Sequence, residues 1–270
     1  MIRATFAGIM AGMVLSGSAL AGPDIVAHRG ASHDAPENTL AAFKLAWQQG
    51  ADAIEGDFYL SKDGRVVCIH DPTTKRTADR DLKVAESTLA ELQKLDVGSW
   101  KAPEYAGERI PTLEDVLATV PAGKRIFIEI KCGPEILPGI EKALLAAKLK
   151  PEQTVIICFK AEIIAAAKKL LPDRKAMWLT SLPKSKTADN RSPDAKSLLA
   201  TLDRIRADGV DCNAHTGIDA DFAQALRQAG KEFHVWTVDS PAVAKRFAQL
   251  GVDTITTNRP AFLREQLKNG

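Results

Sequence analysis

The chain has 270 residues, with 36 Lys and Arg against 34 Asp and Glu for a formal net charge of +2, and 45% of its residues are apolar. That composition supports a sizeable buried core, and without a basic run or an aromatic-rich tract it lacks the footprint of a nucleic-acid binder. A length of about 150 residues per domain would suggest two domains, but α/β barrels reach about 250 residues as one.

In chain order, the first segment stands apart. Met1-Ile2-Arg3 supplies a positive start, residues 6–15 an apolar stretch, and Ala19-Leu20-Ala21 a small-x-small cleavage site before Gly22. This is the pattern of a secretory signal peptide, too short in its apolar part for a comfortable membrane span. The expected organisation is therefore a leader over 1–21 and a single domain over 22–270, secreted and periplasmic, with no stable membrane span after processing. Export implies an oxidising compartment in which Cys68, Cys132, Cys158 and Cys212 could pair. Each lies in or beside a strand-like run, where cysteine usually acts as a small buried hydrophobe, and Cys132 with Cys158 is the one pair worth testing.

Beyond Gly22, β-branched apolar runs predict strands at 24–28, 52–58, 126–131, 154–159, 176–180, 209–213, 233–238 and 253–257. Helical patterns fall between and after them at 38–49, 112–120, 134–148, 161–171, 194–207, 219–229, 240–250 and 260–268. Eight alternating βα units with continuously apolar strands argue for a parallel sheet closed into a (β/α)8 barrel. An open doubly wound sheet is the weaker alternative, because no Gly-rich phosphate loop follows the first strand. One run breaks the alternation. Residues 65–70 also read as a strand, but only Ser61-Lys62-Asp63-Gly64 precedes it, and a parallel crossover needs about a dozen residues. It must return as a hairpin with Asp63-Gly64 in the turn, which sets His70 across from Glu55. Residues 73–111 then form an insertion with a short helix-like stretch at 89–95, expected to cap the barrel mouth.

Chemistry concentrates at the C-terminal ends of the predicted strands, where barrel enzymes carry their active sites. Glu55 and Asp57 lie two apart on one strand, so they share a face, as do Glu129 and Lys131. Three hard carboxylates on one rim suit a divalent cation such as Mg2+ or Ca2+. His28 ends the first strand and His70 the hairpin, which leaves two imidazoles for proton transfer. Any one of these charges could serve a structural ion pair, but that explanation weakens for the whole set. Trp236 lies near the seventh strand end, as core or as a surface for substrate. His33 and His215 read as surface or supporting residues, and His234 as lying toward the opposite end.

The runs His28-Arg-Gly-Ala31, Pro36-Glu-Asn-Thr39, Glu55-Gly-Asp57, Lys62-Asp-Gly64, His70-Asp-Pro72, Glu129-Ile-Lys131, Val235-Trp-Thr-Val238 and Thr257-Asn-Arg-Pro260 occur in that order. Together they resemble the glycerophosphodiester phosphodiesterase family over essentially the whole mature chain. The resemblance implies Glu55, Asp57 and Glu129 as ligands of one divalent cation, and His28 and His70 as the acid/base pair. It also implies Arg29 and Lys131 as phosphate contacts, with Glu37 a further carboxylate beside the ligands. The implied activity is hydrolysis of a small-molecule glycerophosphodiester to glycerol 3-phosphate and an alcohol. A lysophospholipase D or sphingomyelinase D-like phosphodiesterase could use the same site. From another class, a non-catalytic phosphate-ester binding protein could share the barrel, although binding alone needs no pair of histidines. Gly56 departs from the family, which commonly has a bulky apolar residue there, and the change is expected to loosen that strand end. Nothing in the sequence sets an oligomeric state.

Overall fold

A computed structural model describes residues 22–182 and 194–268. The proposed leader over 1–21 lies outside the described residues. Among the described residues nine strands form one sheet: β1 (Asp24–Ala27), β2 (Ala53–Leu60), β3 (Val66–Cys68), β4 (Arg125–Ile130), β5 (Thr154–Cys158), β6 (Lys175–Thr180), β7 (Gly209–Asn213), β8 (Glu232–Trp236) and β9 (Thr254–Thr257). Their order is β1-β9-β8-β7-β6-β5-β4-β2-β3, and β1 also pairs with β2. That last pairing closes eight parallel strands into a barrel, and β3 is left outside the ring as the antiparallel partner of β2.

Helices follow the strands as the periodicity predicts. α1 (Leu40–Gln48) is capped by Thr39, whose hydroxyl accepts from the Ala42 N–H at 3.2 Å. α2 (Leu89–Leu92) lies in the insertion, and α3 (Leu113–Leu117) is capped by Thr112 with Asp115 answering in a capping box. α4 (Leu137–Ala147), α5 (Ala161–Leu170), α6 (Ala195–Arg204), α7 (Ala220–Gln228), α8 (Pro241–Leu250) and α9 (Pro260–Lys268) complete the outer layer.

Alternation along each strand separates structure from chemistry. On β4, Ile126, Ile128 and Ile130 join the core between barrel and helices with Phe43, Phe58 and Phe247. Phe127 instead packs in the barrel interior with Val26, Ala53, Val155, Ile157, Met177 and Leu179. Glu129 has the same parity as Phe127, and Glu55 and Asp57 stand in register with Phe127 and Glu129 on the adjacent strand. The apolar plug therefore fills the lower barrel and the carboxylates sit above it.

Two expectations change in detail. Phe58 pairs with Cys68 and Leu60 with Val66, a register that continues to Gly56, not Glu55, opposite His70. The turn is one residue longer than a tight two-residue loop, because Ser61 and Arg65 bracket Lys62, Asp63 and a left-handed Gly64 (φ 74°). Nor does Gly56 loosen its strand. A Cβ there would meet Cys68 Sγ and the Phe43 ring at 3.2 Å, so large neighbours already occupy the space.

The insertion has its own small core of Val84, Leu92, Leu95, Val97 and Ile110 against Val67 and Ile69. It braces the loop after β1: Lys101 Nζ donates to the carbonyls of Ser32 and His33, and Tyr105 Oη to that of Asp34. No helix among the described residues is long and apolar enough to cross a membrane. All four cysteines are free.

Candidate active site

The site starts where β1 ends. His28 donates its backbone N–H to Thr257 O at 2.9 Å, and then Arg29 (φ 55°) and Gly30 (φ 79°) both adopt the left-handed region. Only glycine fits at the second position, since a Cβ would lie 2.6 Å from the backbone carbon of Ala42. This bend points the Arg29 N–H at Glu55 Oε2, 2.9 Å away. The Arg29 guanidinium reaches Glu37 at 2.9 Å and Asp57 at 3.2 Å.

Asn38, also left-handed (φ 58°), closes the same loop. Its Nδ2 donates to Asp57 Oδ2 at 2.8 Å, and its Oδ1 accepts from the Asp57 N–H at 3.2 Å. Lys131 Nζ lies 2.7 Å from Glu129 Oε1 and 3.4 Å from Asp57 Oδ1. Glu55, Asp57 and Glu129 each bring one oxygen to within 4.8 Å of the others, and all three are buried.

Charge explains what this trio lacks. Burial and the neighbouring charges of Asp57 and Glu129 push Glu55 well above the ordinary carboxylate range, and burial with Asp57 pushes Glu129 up to about 7. Burial also works against Asp57, but Arg29 and Lys131 outweigh it and hold Asp57 low. Two cations thus face three carboxylates, and Glu55 Oε1 is sealed from solvent without a hydrogen-bond partner. Hard, converging, under-neutralised oxygens of this kind can hold a divalent metal ion.

The two imidazoles are set differently. His28 Nδ1 lies 2.7 Å from Asn258 Oδ1. Asn258 Nδ2 donates to Asp239 Oδ2 at 2.7 Å, which orients the amide so that its oxygen faces the ring. His28 Nδ1 must then carry the proton, leaving Nε2 as an acceptor. Burial and the charge of Arg29 keep its pKa below the usual histidine value. His70 lies past β3 and pairs through Nδ1 with Asp71 Oδ1 at 2.6 Å. Asp71 is held by Arg76 Nε at 2.7 Å, and the same guanidinium grips both oxygens of Glu37 at 2.7 and 2.8 Å.

One cavity of about 170 Å3 is lined by His28, Arg29, Glu55, His70, Glu129 and Lys131 together with Ile157, Phe159, Leu179, Asp211 and Trp236. Asp57 and Glu37 stand behind this wall, one salt-bridged to Arg29 and Lys131 and the other to Arg29 and Arg76. His33 is an exposed partner of Asp34, His215 is buried with Nδ1 accepting from the Gly217 N–H, and His234 is buried inside the barrel with its ring 5.5 Å from that of Phe127.

A profile of the glycerophosphoryl diester phosphodiesterase family matches residues 28–262. The chain belongs to that family. A glycerophosphodiester phosphodiesterase of Caldanaerobacter subterraneus is 35% identical over 252 residues, covering 91% of this chain and 98% of the relative. One from Bacillus subtilis is 32% identical over 261 residues, covering 90% and 86%. Among solved structures, an Oleispira antarctica phosphodiesterase in complex with its product sn-glycerol-3-phosphate superposes with a TM-score of 0.82 at 28% identity, covering 92% of this chain and 97% of its own. The matched region contains the whole cavity wall.

The sequence motifs contain Asn38, Asp71 and Asn258 without revealing a role for them, and none of them includes Arg76, Phe159, Asp211 or Asp239. Asp71 and Asn38 adjoin named residues in the chain, a signal that was available. Asp239 and Asp211 carry no such signal, because only barrel closure brings them to the site.

Proposed function

We propose that this family member is a metal-dependent phosphodiesterase that hydrolyses glycerophosphodiesters to glycerol 3-phosphate and an alcohol, with His28 and His70 transferring the protons. One observation carries this reading: both imidazoles share a single cavity with Glu55, Glu129, Arg29 and Lys131, and Asp57 completes the carboxylate trio behind that wall. Glu55, Asp57 and Glu129 would hold a divalent cation, Mg2+ or Ca2+, whose charge would offset that of the phosphodiester. Lys131 and Arg29 add positive charge at the same wall, where nonbridging oxygens must be stabilised as a nucleophile approaches. Glu37 is engaged by two guanidiniums, so its task is to hold Arg29 toward the phosphate.

The hydrogen bonds support a division of labour. His28, neutral and with Nε2 free to accept, suits the base that takes the proton from the nucleophile. His70, donating to the carboxylate of Asp71, suits an imidazolium that protonates the leaving alcohol. Trp236 packs against the substrate from the opposite wall. Secretion to the periplasm after removal of residues 1–21 completes the proposal.

Turnover of glycerophosphocholine by the purified enzyme, with and without chelator, tests the core of it. Activity should vanish on chelation and return with metal, and Glu129→Gln should lower metal affinity while the fold melts normally. Each His→Ala variant should lose roughly a hundredfold or more in kcat. A nitrophenyl ester, whose leaving group needs no proton, should rescue His70→Ala but not His28→Ala. Full activity in chelator, or in both histidine variants, would overturn the proposal.

A further inference from the structure

Half of the cavity wall has no part in the chemistry above. Beside and beyond the carboxylate trio, Ile157 and Leu179 are apolar, Phe159 and Trp236 present aromatic rings, and Asp211, on β7 across the barrel, supplies the lone carboxyl of this part of the wall. Asp211 stands on β7 in register with Leu179 on β6 and His234 on β8, between Val210 and Cys212, which join the core under the helices. Its side chain therefore enters the barrel.

Asp211 is 2% exposed, and among the described residues no group donates a hydrogen bond to its side chain, with Oδ1 wholly unpartnered. Other carboxylates below and around the barrel are treated differently. Asp52 accepts from Ile25 N–H, Lys124 and Arg264, and Asp239 accepts from Thr257 and Asn258. His234, in register with Asp211 on β8, donates from Nε2 to Glu232 at 3.1 Å, and Glu232 in turn pairs with Lys175; the buried, unpartnered Nδ1 of that neutral ring is then an acceptor and brings Asp211 no proton. A buried carboxyl without a donor is costly, and a structural role would have brought it a partner. Its partner is thus expected to arrive with the ligand.

The surroundings specify that ligand. Trp236 Nε1 donates to the backbone oxygen of Asp211 at 3.2 Å, which fixes the indole beside the carboxyl. Phe159 meets Trp236 edge-on at 5.6 Å between centroids. Aromatic rings next to a carboxylate favour an ammonium, because ring quadrupole and anion attract the same charge. With a divalent cation held by the trio, the phosphate side of the cavity would carry net positive charge and the Asp211 side negative charge, complementary to a zwitterion.

We propose that Asp211, Trp236 and Phe159 form a subsite for a cationic head group, so that the enzyme prefers glycerophosphodiesters whose alcohol carries a primary or quaternary ammonium. This rests on the phosphodiesterase reading of the same cavity. Metal-loaded enzyme should be assayed on glycerophosphocholine and glycerophosphoethanolamine against glycerophosphoinositol and glycerophosphoglycerol. The wild type should favour the cationic pair at least tenfold in kcat/KM, and Asp211→Asn and Asp211→Leu should each cut that ratio at least tenfold. A ratio within twofold of wild type in both variants overturns the subsite. A measurement on the wild type alone guards against misfolded variants: choline should bind at least ten times more tightly than its neutral isostere 3,3-dimethylbutanol, and equal binding overturns the proposal. If none of the four esters is hydrolysed the phosphodiesterase reading fails, while the choline comparison still decides whether this wall takes a cation.

Discussion

Asn38 offers the sharpest test of how the loop after β1 builds the carboxylate trio. Replacing it with Ala removes the donor to Asp57 Oδ2 and the acceptor for the Asp57 N–H, both in a buried setting. A hydrogen bond to a charged group is worth about 1.5–3 kcal/mol, and a buried N–H left without a partner costs about 1–3 kcal/mol. Holding Ala at φ 58° adds about 1 kcal/mol. Because these contributions share atoms they do not add fully, and about 4 kcal/mol is expected. For a domain of this size that corresponds to a fall in Tm of about 8–16 °C. Asn38→Gly loses the same hydrogen bonds but not the backbone comfort, so it should melt a few degrees above the Ala variant. Metal affinity, read by calorimetry, should drop about 10–100-fold in both, as when a group orienting a ligand is lost. If both variants melt within 2 °C of the parent and bind metal normally, Asn38 is a spectator and the account of this loop is wrong.

Arg76→Met should lower kcat roughly tenfold with little change in KM, since the clamp on Asp71 and hence on His70 is lost, whereas Tm should shift by less than about 2 °C because the guanidinium is substantially exposed. An unaltered kcat would show that Asp71 orients His70 unaided. Burial pushes Asp211 up to about 6, so its ionisation opposes folding: stability should be lost as pH rises from about 4 to 6 and stay lower above that. Asp211→Asn should accordingly be more stable than wild type at pH 8, by about 2–3 kcal/mol, and lose that advantage at pH 4. Denaturant titrations at the two pH values check this, and a pH-independent difference contradicts it. Mass spectrometry of the exported protein should find a chain beginning at Gly22, and a chain beginning at Met1 in the cytoplasm would refute the proposed leader.

The barrel was legible because both periodicities are plain: β4 reads apolar from Ile126 to Ile130 except at Glu129, and α1, α3 and α7 begin at Thr39, Thr112 and Asp219 caps. Residues that sit on strand ends were legible for the same reason, since position along a parallel strand fixes which rim a side chain joins. The hairpin register slipped by one because loop length, not composition, sets pairing, and Asp63-Gly64 fits a loop of either two or three residues. Asp239 and Asn258 escaped a role because they act on His28 across more than two hundred residues of sequence, a distance no local pattern bridges. Arg76 escaped because it lies in the insertion, outside every motif, and meets Glu37 only through the fold.

The hydrogen bond between His28 and Asn258 joins the first strand of the ring to the loop after the last. The tautomer of that imidazole is therefore set only once β9 has docked between β1 and β8. A chain emerging from the ribosome carries its carboxylates and both histidines long before Asn258 arrives. In the mechanism proposed above, the base therefore depends on ring closure, and a chain that still lacks β9 and Asn258 has nothing to orient His28 as a base.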